Sequence, residues 1–289
     1  LMTNRGSGGR LEGRSRGTAD QTEKKRLCLP LEILLPLEGI DPVHGPLAGH
    51  IETNWESGVN RPYSGDWSLA CWNAQGLLAA NAVKQQSKMG KAIKLATSRD
   101  CVVLTETHGN EGKCRARRLP QGYMGFWCNG DGGGAGVGAW IREEWLSKMK
   151  GPAGGHRFIE VVPGRAAILQ CWGPEGRVQI GMVYLPTGNS GGRAERMAAI
   201  TQLTTEMLKG GHALNIVTGD FNYDPDKWSR FSGESPDYTG DGDAGEARSM
   251  ETQFKRLELR ELEQEAFTYR FEGCRSRLDR VYTNLGRHD

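Results

Sequence analysis

The chain has 289 residues, 37 Lys and Arg against 35 Asp and Glu for a net charge of +2, 37% apolar residues and 41 glycines. Its aromatic and cysteine content excludes a wholly disordered protein, its glycines have no three-residue period and exclude a collagen, and no apolar run reaches the roughly eighteen residues of a membrane helix. A glycine share about twice the average points to many tight turns in a strand-rich fold.

Residues 1–26 carry seven Lys and Arg and three Asp and Glu, a +4 segment that leaves the rest of the chain near −2. The segment is rich in Gly, Ser and Arg and lacks apolar periodicity, so it is expected to be a disordered basic arm, either a nucleic-acid contact or a solvated tail. Residues 27–66 read as a poorly structured linker, because Pro30, Glu32, Pro36 and Glu38 interrupt their longest apolar run. The folded domain is expected over 67–289. The first residue is Leu1, and the chain is expected to be a piece of a longer product.

Trp67 to Trp72 reads as a short apolar strand and Asn81 to Thr97 as an amphipathic helix. Cys101 to Thr105 is β-branched and compact, a buried strand. Tyr123–Cys128 and Val137–Ile141 flank a glycine-rich tip, the pattern of a hairpin. Phe158–Val162 and Ala166–Trp172 make a second pair around Pro163 and Gly164, followed by a strand at Val178–Tyr184. Arg193 to Lys209 places Met197, Ile200, Leu203 and Met207 on one helical face. Leu214–Thr218 is a buried strand, 224–248 an acidic loop, Met250–Leu262 a helix and Arg277–Thr283 a last strand. Hairpin-like groups of strands with two or three intervening helices indicate a mixed α/β domain. The seven cysteines have no zinc-ligand spacing and three of them sit in apolar stretches, so they are expected to be reduced, buried thiols of an intracellular protein.

Polar residues recur where strands end. Asn73 follows the first strand in Trp-Asn-Ala-Gln-Gly-Leu, Glu106 follows CVVLT, and Tyr184 opens Tyr-Leu-Pro. Asp220 and Asn222 lie in Gly-Asp-Phe-Asn, and Asp279 in Ser-Arg-Leu-Asp-Arg-Val-Tyr. Strand ends are where sites converge in layered α/β folds, and an oxygen-only donor set suits a hard divalent cation. Each piece alone is open to a local explanation: a turn at Asp220 and Asn222, a solvated Glu106, a core Tyr184, an Asp279 paired with a nearby Arg.

Taken in order, these five motifs resemble the endonuclease/exonuclease/phosphatase superfamily, over about Trp67 to Tyr282. Its members include exonuclease-III-like abasic-site endonucleases, endonuclease domains of non-LTR retrotransposons, DNase-I-like nucleases and inositol-polyphosphate phosphatases. The resemblance implies a four-layer αββα sandwich, two packed mixed β-sheets flanked by helices. It implies Mg²⁺ (or Mn²⁺) bound by Glu106 with Asn73, and Tyr184 bonded to the scissile phosphate. It implies Asp220 positioning or deprotonating the attacking water, Asn222 donating to the phosphate and Asp279 orienting a histidine. Arg193 or Arg196 is expected on the DNA side, as are Arg115, Arg117 and Arg118, which with Lys113 follow the Glu106 strand. His108 is expected to point away from the metal, and the acidic loop after Asn222 to disfavour an extended DNA footprint there.

The family's closing Ser-Asp-His is not found after Asp279, where His288 is the one histidine. The chain is therefore expected to lack the family's last strand and to be impaired as a nuclease. The leading expectation is a metal-dependent endonuclease on DNA, closest to the retrotransposon branch, nuclear, and a monomer or part of a polyprotein. The alternatives are an abasic-site repair endonuclease, an inositol-phosphate phosphatase, or an inactive remnant that binds nucleic acid.

Overall fold

A computed structural model describes residues 27–28, 31–35, 61–78, 82–116, 119–131, 134–149, 155–188, 190–232, 237–238, 242–262, 264, 266–271 and 273–285. The expected basic arm, most of the expected linker, Arg117, Arg118 and His288 lie outside these residues.

Two large mixed sheets carry the fold. The first has five strands in the order β2 (Leu31–Leu35), β3 (Trp67–Asn73), β4 (Cys101–Thr105), β6 (Val137–Arg142) and β5 (Tyr123–Cys128). The second has six, in the order β13 (Arg260–Glu261), β16 (Asp279–Thr283), β10 (Leu214–Asp220), β9 (Gly176–Tyr184), β8 (Ala166–Gly173) and β7 (Gly155–Val162). Each sheet contains one parallel pair, β3 with β4 and β9 with β10, and its other pairings are antiparallel.

Alternation of side chains along the strands assigns the layers. Leu69, Cys71, Val103, Ala139 and Ile141 of the first sheet meet Leu169, Cys171, Ile180, Met182, Ile216 and Val281 of the second in one buried core. The opposite face of the first sheet, with Ala70, Trp72, Val102, Leu104 and Trp140, packs on Ala92, Leu95 and Ala96 of α1 (Ala82–Ala96). The opposite face of the second, with Ile168, Val183, Val217 and Phe221, packs on Ile200, Leu203 and Met207 of α4 (Ser190–Leu208) and on Met250 and Phe254 of α5 (Ala244–Lys255). The result is the expected αββα sandwich. Two short helices, α2 (Glu111–Ala116) and α3 (Glu143–Lys148), lie in connections. The six described cysteines with assigned side chains are free thiols, five of them buried.

Three features depart from the sequence reading. Part of the expected linker is ordered: Leu31–Leu35 pairs antiparallel with Trp67–Cys71 and covers that edge of the first sheet. A third, small sheet orders β1 (Leu27–Cys28), β14 (Tyr269–Phe271), β15 (Cys274–Ser276), β11 (Arg230–Ser232) and β12 (Asp237–Tyr238). The expected acidic loop thus contains two strands, and the helix expected from Met250 begins at Ala244. The cause is local: the Asp243 carboxylate accepts from the amides of Gly245 (2.9 Å) and Glu246 (3.0 Å), a side-chain cap on the first turn.

Candidate active site

The inner-face columns of the two sheets all end in polar groups at the same edge. Cys71 leads to Asn73, Val103 to Thr105, Met182 to Tyr184, Thr218 to Asp220 and Val281 to Asp279. Register then aligns them. Parallel pairing sets Tyr184 opposite Asp220, and antiparallel pairing sets Asp220 opposite Asp279. In the facing sheet Asn73 lies opposite Thr105, with Glu106 next in the chain. Two parallel pairs therefore bring their carboxyl ends to one mouth between the sheets.

Hydrogen bonds close this mouth. Asn73 Nδ2 donates to Asp220 Oδ2 at 2.6 Å, a bond between the sheets, and the Asn222 amide donates to Asp220 Oδ1 at 3.0 Å. Both oxygens of a carboxylate that is 2% exposed are thereby oriented. The Tyr184 hydroxyl donates to Glu106 Oε1 at 3.0 Å, and the Arg165 guanidinium lies 4.8 Å over the Tyr184 ring. Asn222 Nδ2 donates to the Leu185 carbonyl at 2.8 Å. Asp279 is 1% exposed, and among the described residues its Oδ1 has no hydrogen-bond partner. Local strain concentrates here. Of the five described non-glycine residues with left-handed backbone, Gln75, Glu106 and Asn222 belong to the site loops and His108 follows Glu106 by two positions.

Gly219 sets Asp220. Its φ is +146°, and a Cβ there would stand 1.9 Å from the Val183 carbonyl oxygen on the neighbouring strand. Gly219→Ala is expected to cost on the order of 3 kcal/mol in urea unfolding, by strain and by pushing β9 and β10 apart. A loss below about 0.5 kcal/mol would contradict this close packing.

The carboxylates burden one another. Burial, then the charge of Glu106, pushes Asp220 up to about 7, and bonds from Asn73 and Asn222 draw it back. Burial, then the charge of Asp220, holds Asp279 well above the usual carboxylate range, with Thr268 drawing it back. Burial and Glu106 also raise the Tyr184 phenol. A carboxyl with a raised folded pKa binds its proton more tightly in the folded chain. The stabilisation is complete below the ordinary value of 3.8 and is lost as pH climbs through about 7. In EDTA at about pH 8, Asp220→Asn is therefore expected to exceed the wild type in stability by on the order of 2–4 kcal/mol. The gap should close at about pH 4, and melting curves with no such pH-dependent gap would refute the assignment.

The site opens into a cleft of about 1030 Å³ whose inner end is walled by Asn73, Glu106, Asp220 and Asn222; further out, Lys88, Arg193, Arg196 and Arg230 alternate with Asp224, Asp243 and Glu246. Of the expected DNA-side arginines, Arg193 and Arg196 both line this cleft, and Arg193 is paired with Asp243 at 2.5 Å. Arg196 is a correction. It is 5% exposed, its Nε and Nη2 grip both oxygens of Glu246 at 2.6 and 2.8 Å, and its Nη1 donates to the carbonyls of Pro186 and Gly188 at 2.9 Å. With its donors committed inside the protein it is not a surface contact. It ties the segment after Tyr184 to α4 and α5. Arg115 lies on α2, its side chain outside the described set. The acidic segment carries less free charge than its composition suggests, because Asp224, Asp243 and Glu246 pair with Arg230, Arg193 and Arg196. Lys88 and Arg230 were not anticipated from sequence. Lys88 donates to the Gln75 carbonyl, next to Asn73 in space, but stands one helix away in sequence.

Among the described residues no group of three or more His, Cys, Asp or Glu is arranged to hold a metal ion. The donor set still fits one hard cation. Glu106, Asn73 and Asp220 are all oxygen or amide ligands, and Mg²⁺ takes one or two carboxylates and keeps water elsewhere. The charge of Glu106 on Asp220, and of both on Asp279, marks an excess of negative charge that such a cation would offset.

Two face-packed mixed sheets with an oxygen-rich cleft at their common mouth are the frame of a family of hydrolases acting on phosphodiester bonds. The chain belongs to the Endonuclease/Exonuclease/phosphatase family, whose model matches residues 70–288. Among solved structures it is similar to a 3'-5' exonuclease from Neisseria meningitidis (17% identity, 74% of this chain, 86% of that chain, TM-score 0.54). It is also similar to an AP endonuclease from Archaeoglobus fulgidus (13% identity, 75% and 86%, TM-score 0.51). The endonuclease domain of TRAS1, a telomere-specific non-LTR retrotransposon, matches at 13% identity over 74% and 82%, with a TM-score of 0.48. No curated protein sequence matches the chain. Among the described residues no helix is long and apolar enough to cross a membrane.

Proposed function

We propose that the chain is a divalent-metal-dependent phosphodiester hydrolase acting on DNA. The observation that carries this reading is the doubly bonded Asp220 carboxylate beside Glu106, in a cleft that Lys88, Arg193 and Arg230 also line. A polyanion would enter along Lys88, Arg193 and Arg230. Glu106 and Asn73 would hold Mg²⁺ (or Mn²⁺), which supplies Lewis-acid stabilisation of charge developing on the phosphoryl oxygens. Asp220, fixed at both oxygens and titrating near neutrality, is suited to take a proton from the attacking water. Tyr184, which donates to Glu106 in the free protein, would turn its hydroxyl to a phosphate oxygen. Asn222 would complete the donor set from the opposite side.

Nicking of supercoiled plasmid with Mg²⁺, with and without EDTA, tests the reading. Parallel arms with abasic duplex and with a soluble inositol phosphate separate the substrate classes. Metal-independent nicking, or none at high enzyme concentration with turnover of the inositol phosphate, would overturn it. A second reading is an impaired enzyme: among the described residues, which do not include His288, Asp279 Oδ1 has no hydrogen-bond partner. If Asp279 orients no imidazole, Asp279→Asn leaves nicking within about two-fold, whereas a working orienting contact would cost about 10–100-fold.

A further inference from the structure

The small third sheet carries an aromatic surface that the cleft chemistry does not use. Four large hydrophobic residues are exposed among those described, and the two aromatic ones, Trp228 (51%) and Tyr238 (39%), touch each other at a ring-centroid distance of 4.9 Å. Tyr238 lies opposite Phe231, and Phe231 opposite Arg275, so these three share one rung. The Phe231 and Tyr238 rings are 5.7 Å apart, the Arg275 guanidinium is 5.9 Å over Phe231, and the Lys227 ammonium is 4.4 Å over Trp228.

Trp228 is not on a slack loop tip. It sits in a tight turn, Lys227–Ser229, whose last residue is 1% exposed. Its carbonyl accepts from Arg277 Nη2 at 2.7 Å. The Ser229 hydroxyl accepts from Arg280 Nη2 at 2.9 Å and donates to Asp226 Oδ1 at 3.0 Å. The Ser229 carbonyl accepts from the Arg277 amide at 2.9 Å. The backbone is thus held while the indole is left half in water. Half-exposure of several packed aromatic rings on a fixed backbone forgoes burial that a repacked turn would gain, and large apolar surface of this kind marks a contact site. The turn adjoins the cleft in the chain: Asp224 before it and Arg230 after it both line the cleft wall. Nearby acids are partly committed: Asp224 lies 3.7 Å from Arg230, and Asp226 is bonded to Ser229. Among the described residues Asp226 and Asp237 are both exposed.

We propose that Trp228 and Tyr238, with Lys227 and Arg275, form a stacking platform for unpaired nucleobases of the DNA strand that leaves the cleft. Exposed aromatic faces interleaved with cations suit single-stranded nucleic acid, in which every base offers a π-face and every link a phosphate. Intact duplex hides its base faces and would gain only the cationic contacts. The proposal rests on the reading of the cleft as a DNA site and adds the strand state that it favours.

Fluorescence anisotropy in EDTA tests it, with a labelled oligothymidylate of roughly 12 nucleotides against a blunt duplex of matched charge. The wild type should bind the single strand more tightly. Trp228→Ala should weaken that binding by roughly ten-fold or more and leave duplex binding within about two-fold, with Trp228→Phe close to wild type. Melting curves report whether each variant is folded, and Tyr238→Ala gives a second, independent removal of a ring. Equal affinity of wild type and both alanine variants for the single strand would overturn the platform. So would a wild type that prefers duplex, or a concentration-dependent dimer in sedimentation that Trp228→Ala dissolves, since the face would then be a contact between copies. Binding is read without turnover. A wild type that binds single strands through Trp228 but never cleaves would count against the hydrolase reading alone.

Discussion

Asp220→Ala is expected to lower Mg²⁺-supported plasmid nicking by about 10²- to 10⁴-fold, the range for loss of a positioned general base. The reason is geometric as much as chemical. The carboxylate is held by Asn73 across the sheets and by the Asn222 amide within its own turn, which fixes both of its oxygens. Asp279, its partner on the neighbouring strand, is not among the residues that line the cleft. The same change removes a buried charge that burial and Glu106 oppose, so activity should fall while metal-free stability at neutral and higher pH rises. Such opposition between stability and activity is expected where a site gathers like charges for a cation. Nicking within about ten-fold of wild type would remove Asp220 from the role of base.

Glu246→Ala should be among the most destabilising single changes in the second sheet's helical layer. It would leave the Arg196 guanidinium charged, nearly buried and without its carboxylate, a situation that costs about 3–5 kcal/mol. Arg196 also donates to the carbonyls of Pro186 and Gly188, so the damage should reach the segment that follows Tyr184. A double change, Arg196→Met with Glu246→Leu, is expected to restore part of the stability, because it removes both charges. It should not restore full activity, because the two carbonyls lose their donor. Urea unfolding of the three variants, followed by nicking, separates the effects. A Glu246→Ala protein within about 1 kcal/mol of wild type would show that the pair contributes little.

Much of the fold was legible because its strands announce themselves locally. CVVLT and NIVT are short, β-branched and flanked by polar breaks; Asn73, Tyr184 and Asp220 close their strands, Glu106 follows its strand, and Asp279 opens the last one. The six proposed site residues could thus be read from strand ends without knowing which strands pair. What could not be read depends on partners far away. Leu31–Leu35 looks like linker because Pro30, Pro36 and Glu32 break its pattern, and it is a strand because β3 offers a free edge. Arg196, one of two arginines expected on the DNA side, is buried. Its spacing to Ile200, Leu203 and Met207 puts it on the buried face of α4, a signal present in the sequence, but the Glu246 that makes burial tolerable lies 50 residues on. The early start of α5 was also written locally, as Asp243 with Glu246 three positions later, the arrangement of a capping box.

The bond from Asn73 to Asp220 joins groups 147 positions apart in the chain. Contacts this distant are the last to repay the entropy of closing the loop between them. During folding each sheet can gather its own strands first, but neither half alone holds a working constellation. Catalytic competence should therefore emerge in step with docking of the two layers and vanish with it on denaturation. Turnover would then serve as a probe of the whole interface between the layers, arriving late enough that a nascent or half-unfolded chain carries no cutting activity into its surroundings.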